Sequence, residues 1–289
     1  MRHLVIHPAR LRGLAESHPL KRALHRARRE GDAPPTPWAC VLAAAGVGSA
    51  LSLAALCARG EGLEGTGWLR LDPVALLPNR EHLVMAGNAH LQLQPEEAAA
   101  LAEALEAWSL FPGLCQPHPL RWYLPLEAPV AMETEPWAAV LGGDVRPALP
   151  RGAEARRWRA RLAEAEMVLF EAPPNRLRRQ RGRPTVDSLW LWGEGPLPQA
   201  ATGFPWSWVA GEGILAKGLA AWAGVPWHSL QTLPGDVGLV VVDDGLAGPP
   251  PDAILEAGVV PVGVSFRVSV AGEGVWQIPP RRWWAFWRR

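Results

Sequence analysis

Ser188-Leu189-Trp190-Leu191-Trp192-Gly193-Glu194-Gly195 is a short apolar run closed by a glycine-flanked turn. A run of that length between turn residues reads as a buried strand. On its N-terminal side, Ala153–Phe170 sets Trp158, Leu162, Met167 and Leu169 into a charged surface and predicts a helix. On its C-terminal side, Ile214–Ala223 predicts a helix, and Gly238–Val242 a fully apolar strand ending in Asp243-Asp244. Val262–Val270 predicts a further strand and Ile254–Gly258 a short helix. Further out, Leu4–His7, Trp68–Leu71, Leu83–Met85, His90–Leu93 and Trp122–Leu126 read as strands, the second ended by Asp72-Pro73. Pro95–Trp108 is a helix, with Pro95 in its first turn and Glu96 and Glu97 at the positive end of its dipole. Leu20–Arg29 has helical spacing, and Arg176–Arg183 reads as a basic loop. Helices and strands mix without a regular βαβ repeat. The expected class is therefore α/β, a mixed sheet flanked by helices.

Composition narrows the functional classes. The chain has 289 residues, and 48% of them are hydrophobic, enough to bury a core. With 29 basic against 28 acidic residues, overall charge gives no reason to expect a polyanion ligand, and nucleic acid is not expected as a partner. Cys40, Cys57 and Cys115 are odd in number and lack C-x-x-C spacing, which excludes a disulfide scaffold and a thiolate zinc site. Met1–Gly13 has scattered charges and no apolar core, so a secretory signal is not expected and the cytoplasm is. Sixteen Trp against one Tyr is unusual, and the indoles are expected to serve mainly in packing.

Ala39–Ala58 is an uncharged stretch of membrane-spanning length, but Ala, Gly and Ser dominate it. A buried helix is expected there. Three segments follow: an N-terminal helical region at 1–60, an α/β domain at 61–280, and a basic aromatic tail at 281–289. The tail, Arg281-Arg282-Trp283-Trp284-Ala285-Phe286-Trp287-Arg288-Arg289, suits docking on the domain by cation–π contact better than a membrane-interface anchor.

Chemistry-bearing motifs are sparse. Of the eight His only His3 and His7 fall in H-x-x-x-H, in a stretch that reads as a strand and not a helix, and no Asp-His pair is present, so no metal site and no cofactor is expected. A G-x-S-x-G elbow and a Walker A loop are missing, and the G-x-G-x-x-G match at Gly60–Gly65 follows a helical stretch and precedes a strand, the reverse of the dinucleotide-binding context. Gly193-Glu194-Gly195 follows a strand and offers backbone N–H groups that an anion would accept, or else a plain tight turn. Between Arg146 and Arg183 stand eleven Arg and four Glu, a local +7 that suits phosphates, an acidic partner or a solvated face. An enzymatic reading would give phosphate and carboxylate binding to Arg121, Arg183 and Lys217, with Asp187 or Asp243 as acid or base. With Ser188, these six residues form the candidate ligand-binding set.

Four blocks stand in register: Trp68–Pro73, Pro117–Leu124, Arg156–Arg159 with its helix through Pro174-Asn175, and Asp187–Gly195. Together they resemble the proteobacterial regulatory protein family of the RpfE type, described as cofactor-independent phosphoglycerate mutase-like. The resemblance runs over roughly residues 38–245. Ser188–Gly195 followed by Ile214-Leu215-Ala216-Lys217-Gly218-Leu219 is similar to a stretch of the archaeal-type mutases of the alkaline-phosphatase superfamily. It implies part of that scaffold. The superfamily's early Asp-Gly metal motif, its Ser or Thr nucleophile and its later Asp-His ligands have no counterpart here. Asp187 stands where the RpfE-type pattern has Asn, and Glu194 where it has the middle of three glycines. The expected His residues are replaced around Phe170–Pro173. The resemblance thus implies a catalytically inactive, regulatory protein acting by binding, its partner a protein or a small phosphorylated ligand. The alternative is an active mutase or phosphohydrolase on a small phosphorylated acid.

Overall fold

The computed structural model describes residues 2–6, 20, 24–25, 27–46, 52–65, 67–195, 197, 203–234, 237–241 and 266–278. Ile254–Gly258, Asp243-Asp244 and the tail at 281–289 lie outside them. The fold is mixed α/β, as expected, with helices packed on the sheets. The chain forms two compact units that interleave in sequence: Met1–Ala50, Arg59–Gly62 and Gln199–Arg289 in one, Leu51–Ala58 and Leu63–Pro198 in the other.

In the first unit, strands β1 (Arg2–Ile6), β2 (Arg28–Gly31), β8 (Val209–Ala210), β9 (Trp227–His228), β10 (Gly238–Val241), β11 (Phe266–Val270) and β12 (Gly274–Ile278) form one sheet among the described residues. Its order is β2-β12-β11-β1-β10-β8-β9. The strands from β11 to β9 run parallel, while β12 and β2 add an antiparallel edge. Parallel strands are buried on both faces and read as continuous apolar runs, and Gly238–Val241 is such a run. Gly238 has a steric reason: a Cβ there would enter the Trp208 indole. Helices α1 (Pro37–Ala44) and α7 (Ile214–Ala223) belong to this unit, and α2 spans Leu53–Gly60. The expected single helix over Ala39–Ala58 is therefore two helices. α1 stops at Ala45, followed by Gly46 with φ +71°, the left-handed geometry that glycine supplies at helix ends. Among the described residues no helix is long and apolar enough to cross a membrane. The expected helix at Leu20–Arg29 gives way at its end to β2, which the β12 edge recruits.

In the second unit, β3 (Trp68–Pro78) is the spine. It pairs antiparallel with β4 (Leu83–Gly87), β6 (Arg121–Pro125) and β7 (Ser188–Trp192), and β5 (Cys115–His118) pairs with β6. Asp72-Pro73 does not end β3. Over 71–74 the strand has a ladder with β7 alone, because β6 leaves after Arg70 and β4 begins at Ala75. A one-sided ladder is the setting in which strands accept proline. Helices α3 (Pro95–Ala107) and α5 (Ala155–Glu171) pack on this sheet through Leu101, Leu105, Trp158, Leu162 and Leu169 against Leu69, Leu71, Trp122, Leu189 and Leu191. α3 starts on a capping box, Gln94 with Glu97. His90–Leu93, expected as a strand, is a 3₁₀ turn over Ala89–Leu91. The expected basic loop is helix α6 (Pro173–Gln180), its first turn set by Pro173. Arg178 on α6 is buried and donates to Leu91 O, Pro184 O and Glu97, so part of that charge run staples α6 to α3.

The opposite face of β3 carries Arg70 and Asp72, both fully buried. Arg70 Nε and Nη2 donate to Asp72 Oδ1 at 3.0 and 2.7 Å. Asp72 Oδ2 accepts the indole N–H of Trp192 at 3.0 Å and of Trp137 at 3.2 Å. The guanidinium lies 4.6 Å from the Trp192 ring and 5.2 Å from the Tyr123 ring. Burial opposes the charge on Arg70, but Asp72 outweighs it and raises the Arg70 pKa, so the guanidinium stays protonated. Three other indoles pack with satisfied N–H donors, Trp122 on Pro119 O, Trp190 on Glu135 O and Trp206 on Ala44 O, whereas those of Trp68 and Trp158 are buried without a partner among the described residues.

Two outcomes are expected in unfolding experiments. Asp72→Ala strands a buried guanidinium and should cost about 3–5 kcal/mol, whereas adding Arg70→Met to that change should recover part of the loss. A loss below about 1 kcal/mol in the single variant would show that the pair is not closed to water. The second concerns His3, whose Nε2 lies 2.7 Å from Ser269 Oγ inside the first unit. Burial, then the charge of Arg267, lowers its pKa from 6.5 to about 4. Above pH 6.5 both states are neutral there. Between pH 6.5 and 4 the unfolded chain takes up a proton that the folded chain refuses, so stability should fall by up to about 3 kcal/mol. His3→Gln should flatten that slope in denaturant titrations at pH 7.5 and 4.5, and an unchanged slope would refute the assignment.

Candidate ligand-binding cavity

A cavity of about 580 Å³ opens within the second unit. One wall is helical. Arg159, Leu162, Ala163 and Glu166 of α5 stand at i, i+3, i+4 and i+7, which places them on one stripe of the helix. The floor comes from the sheet, with Leu76 and Pro78 at the end of β3 and Ser188–Leu191 of β7. The rim is two loops, 79–83 and 145–150. The first is the β3–β4 turn, closed by Asn79 N donating to His82 O at 2.8 Å. The second is tied to β4 by Val145 N donating to Leu83 O at 3.1 Å.

The surfaces so assembled are apolar below and charged above. Leu76, Leu149, Leu162, Leu189, Trp190 and Leu191 supply most of the apolar lining. Ser188 Oγ donates to Glu166 Oε1 at 2.8 Å and ties floor to wall. At the rim stand Arg80, Glu81, His82, Arg146 and Arg159. Arg146 is committed to Asp144, with Nε 2.9 Å from Oδ2, and its hydrogen bonds hold the Asp144 carboxyl below the usual range. The guanidinium groups of Arg80 and Arg159 have no hydrogen-bond or ion-pair partner among the described residues.

The six sequence-derived candidates are distributed as follows. Ser188 lines the cavity. Asp187, its neighbour, is taken up by structure: Oδ2 accepts Leu76 N at 2.8 Å and Oδ1 accepts Thr185 Oγ1 at 2.6 Å, fastening β7 to β3. Arg183 donates to Gln92 O and lies 4.0 Å from Glu97. Arg121 opens β6 opposite His118 of β5. Lys217 sits on α7 in the other unit, its Nζ 4.9 Å from the Trp227 ring. Asp243 lies outside the described residues. Arg80, Arg159 and Glu166 were not among the candidates. The α5 stripe was readable in the helical spacing, whereas Arg80 stood in a segment legible only as a turn.

Gly193-Glu194-Gly195 does not offer a free backbone cradle. Gly193 N donates to Thr134 Oγ1 at 3.2 Å, and Glu194 accepts both Thr134 N, at 3.1 Å, and the Thr134 hydroxyl. Ser52 Oγ and Ala54 N both donate to Gly193 O. The turn is a latch for the chain around Thr134. Among the described residues, no group of three or more His, Cys, Asp or Glu is placed to hold a metal ion.

No family model matches the chain. A probable 2,3-bisphosphoglycerate-independent phosphoglycerate mutase of Geobacter sulfurreducens is 27% identical over 162 residues, 54% of this chain and 40% of that protein. The corresponding mutase of Methanothrix thermoacetophila is 29% identical over 161 residues, 53% of this chain and 39% of that protein. Over about half of its length the chain is similar to phosphoglycerate mutases. It spans about two fifths of the length of these mutases. Among solved structures, the cofactor-independent phosphoglycerate mutase of Thermoplasma acidophilum aligns over 96% of this chain and 88% of its own, at 17% identity and a TM-score of 0.43. The PH0037 protein of Pyrococcus horikoshii aligns over 98% and 83%, at 15% identity and a TM-score of 0.47.

Glu194→Ala should destabilise the second unit by about 1–2 kcal/mol, the worth of hydrogen bonds to a charged acceptor that remains partly hydrated. Chemical denaturation monitored by tryptophan emission measures it. A variant as stable as the parent would mean that Thr134 finds water instead.

Proposed function

We propose that this protein is a phosphoglycerate mutase-like protein that acts by binding, without mutase turnover, in a cytoplasmic regulatory role of the RpfE type. The cavity of the second unit carries this reading. It is a walled space with an apolar floor and charged rim, the usual make-up of a small-molecule site. Its one hydroxyl–carboxylate pair, Ser188 with Glu166, closes the wall. Two features support the absence of turnover. The sequence lacks the early Asp-Gly, the nucleophile and the later Asp-His motifs of the superfamily, and Asp187 is engaged by Leu76 N and Thr185.

The second reading, an active mutase or phosphohydrolase on a small phosphorylated acid, draws on the similarity to two mutases over some 160 residues. Elemental analysis of the purified protein, paired with conversion of 3-phosphoglycerate to 2-phosphoglycerate with and without added Mn²⁺, separates the two. Substoichiometric metal and no conversion are expected. One or two metal equivalents with turnover would overturn the binding reading.

A further inference from the structure

We infer that the exposed face of α5 is a self-association surface, on which a second copy of this chain packs its own α5 antiparallel about a two-fold axis. The helix carries two apolar stripes. Ala155, Trp158, Leu162, Ala165 and Leu169 form the first and are buried in the unit. Arg156, Ala160, Ala163, Met167 and Phe170 form the second, at alternating steps of four and three, the seam spacing of paired helices. All five are exposed, Met167 by 65% and Phe170 by 58%. Bulk is unevenly divided along this seam. Small Ala160 and Ala163 stand in the N-terminal half, and large Met167 and Phe170 in the C-terminal half. An antiparallel copy sets large side chains against small ones, whereas a parallel copy stacks large on large.

Charge selects the occupant. The positions flanking the seam carry Arg157, Glu164 and Glu171 on one side, and Arg159 and Glu166 on the other. With Arg156 and Arg161, the N-terminal half of α5 is basic and the C-terminal half acidic. This order opposes the helix dipole, which favours acids in the first turn and bases in the last; α5 has neither. Arg157 and Arg161 also repel at i, i+4. Relief within the chain is small. Glu154 at the N-cap is turned to Ala131 N, and Arg179 of α6 donates to Phe170 O and stacks on its ring. Arg156, Arg157, Arg159, Glu164 and Glu171 form no ion pair among the described residues. A second α5 running the opposite way answers both halves. Like flanks meet in an antiparallel pair, so Arg157 of one copy faces Glu164 and Glu171 of the other, and Arg159 faces Glu166, each contact made twice by symmetry. A parallel copy would set Arg on Arg, and an acidic ligand would meet the arginines and leave the glutamates unanswered. The face shares Arg159, Ala163 and Glu166 with the cavity, so the second copy lies along the cavity wall. At 17 residues α5 is roughly 25 Å long, so a helix pair of this size gives a small interface and a weak, salt-sensitive dimer.

Sedimentation velocity on the full chain, from about 1 to about 100 μM at low salt, tests this. A monomer–dimer equilibrium within that range is expected, and added salt should weaken it. Met167→Glu puts a carboxylate in the seam and should abolish the dimer. Arg157→Glu and Glu171→Arg should each weaken it at least about tenfold, since each turns two attractive pairs into repulsive ones. Mixed one to one, these two single variants should recover most of the parental affinity, because each supplies the charge the other lacks. All three positions are exposed, and thermal unfolding confirms that the variants fold. A chain monomeric over the whole range would overturn the inference, whether a different protein or another segment of this chain then proves to cover the face. A dimer indifferent to Met167→Glu would place the interface elsewhere and overturn it as well. Loss of the dimer in Met167→Glu, with no response to either charge reversal or with mixed variants that stay apart, would overturn the antiparallel arrangement.

Discussion

The second unit depends on a carboxylate and a guanidinium kept out of water. Arg70 and Asp72 lie two residues apart on β3, so strand alternation puts both on the same face of the sheet. Removing both charges from water carries a heavy desolvation penalty, offset by their mutual attraction and by the further partners of Asp72, while Arg70 Nη1 is buried without a hydrogen-bond partner among the described residues. Asp72 uses one oxygen for Arg70 and the other for two indole N–H groups, from Trp137 and Trp192. Arg70 in turn lies between the Trp192 and Tyr123 rings. Each partner arrives on a different element: β3, β6, β7 and α4 (Trp137–Val140). A shift of β7 or α4 would strip Asp72 of an indole donor, and a shift of β6 would remove the Tyr123 ring from Arg70.

That constraint helps to place the cavity. β3 continues through Pro73 to Pro78 beyond the ion pair, and β7 runs beside it from Ser188, so their ends furnish the floor. Asp187 fastens the junction from β7 to Leu76 N. α5 is set over the sheet by Trp158, Leu162, Ala165 and Leu169, and this leaves the stripe from Arg159 to Glu166 as a wall. The same helix thus packs the core with one stripe and lines the cavity with its neighbour, Leu162 serving both. A small ligand in such a site meets rigid secondary structure on two sides and loops only at the rim, an arrangement that favours preorganised binding.

Much of this is legible in the sequence. The apolar strands at Ser188–Trp192 and Gly238–Val241, and the helices at Pro95–Ala107, Ala155–Glu171 and Ile214–Ala223, follow from local patterns. Periodicity and helix-start signals act over a few residues, and short-range sterics decide them. Local signals failed where a distant partner set the outcome. Asp72-Pro73 looked like a strand end because proline removes a donor, yet β3 has a ladder on one side only at that point. Arg178 looked like one charge among many in a basic run, yet three backbone carbonyls and Glu97 draw it inside.

The candidate site divides in the same way. By itself the sequence determined that the chain is α/β, that it has the composition to bury a core, and that it resembles a mutase scaffold without the motifs of its chemistry. It also marked Ser188 for attention. Only the tertiary structure decided that Ser188 faces Glu166 in a cavity while the adjacent Asp187 is spent on a backbone amide. Only the tertiary structure brought Arg80 and Arg159 to one rim, although 78 positions separate them along the chain. The reason is physical. Residue type and spacing set what a side chain can do, but whether a charge is paired, buried or open to a ligand depends on neighbours that only the packing of remote segments supplies.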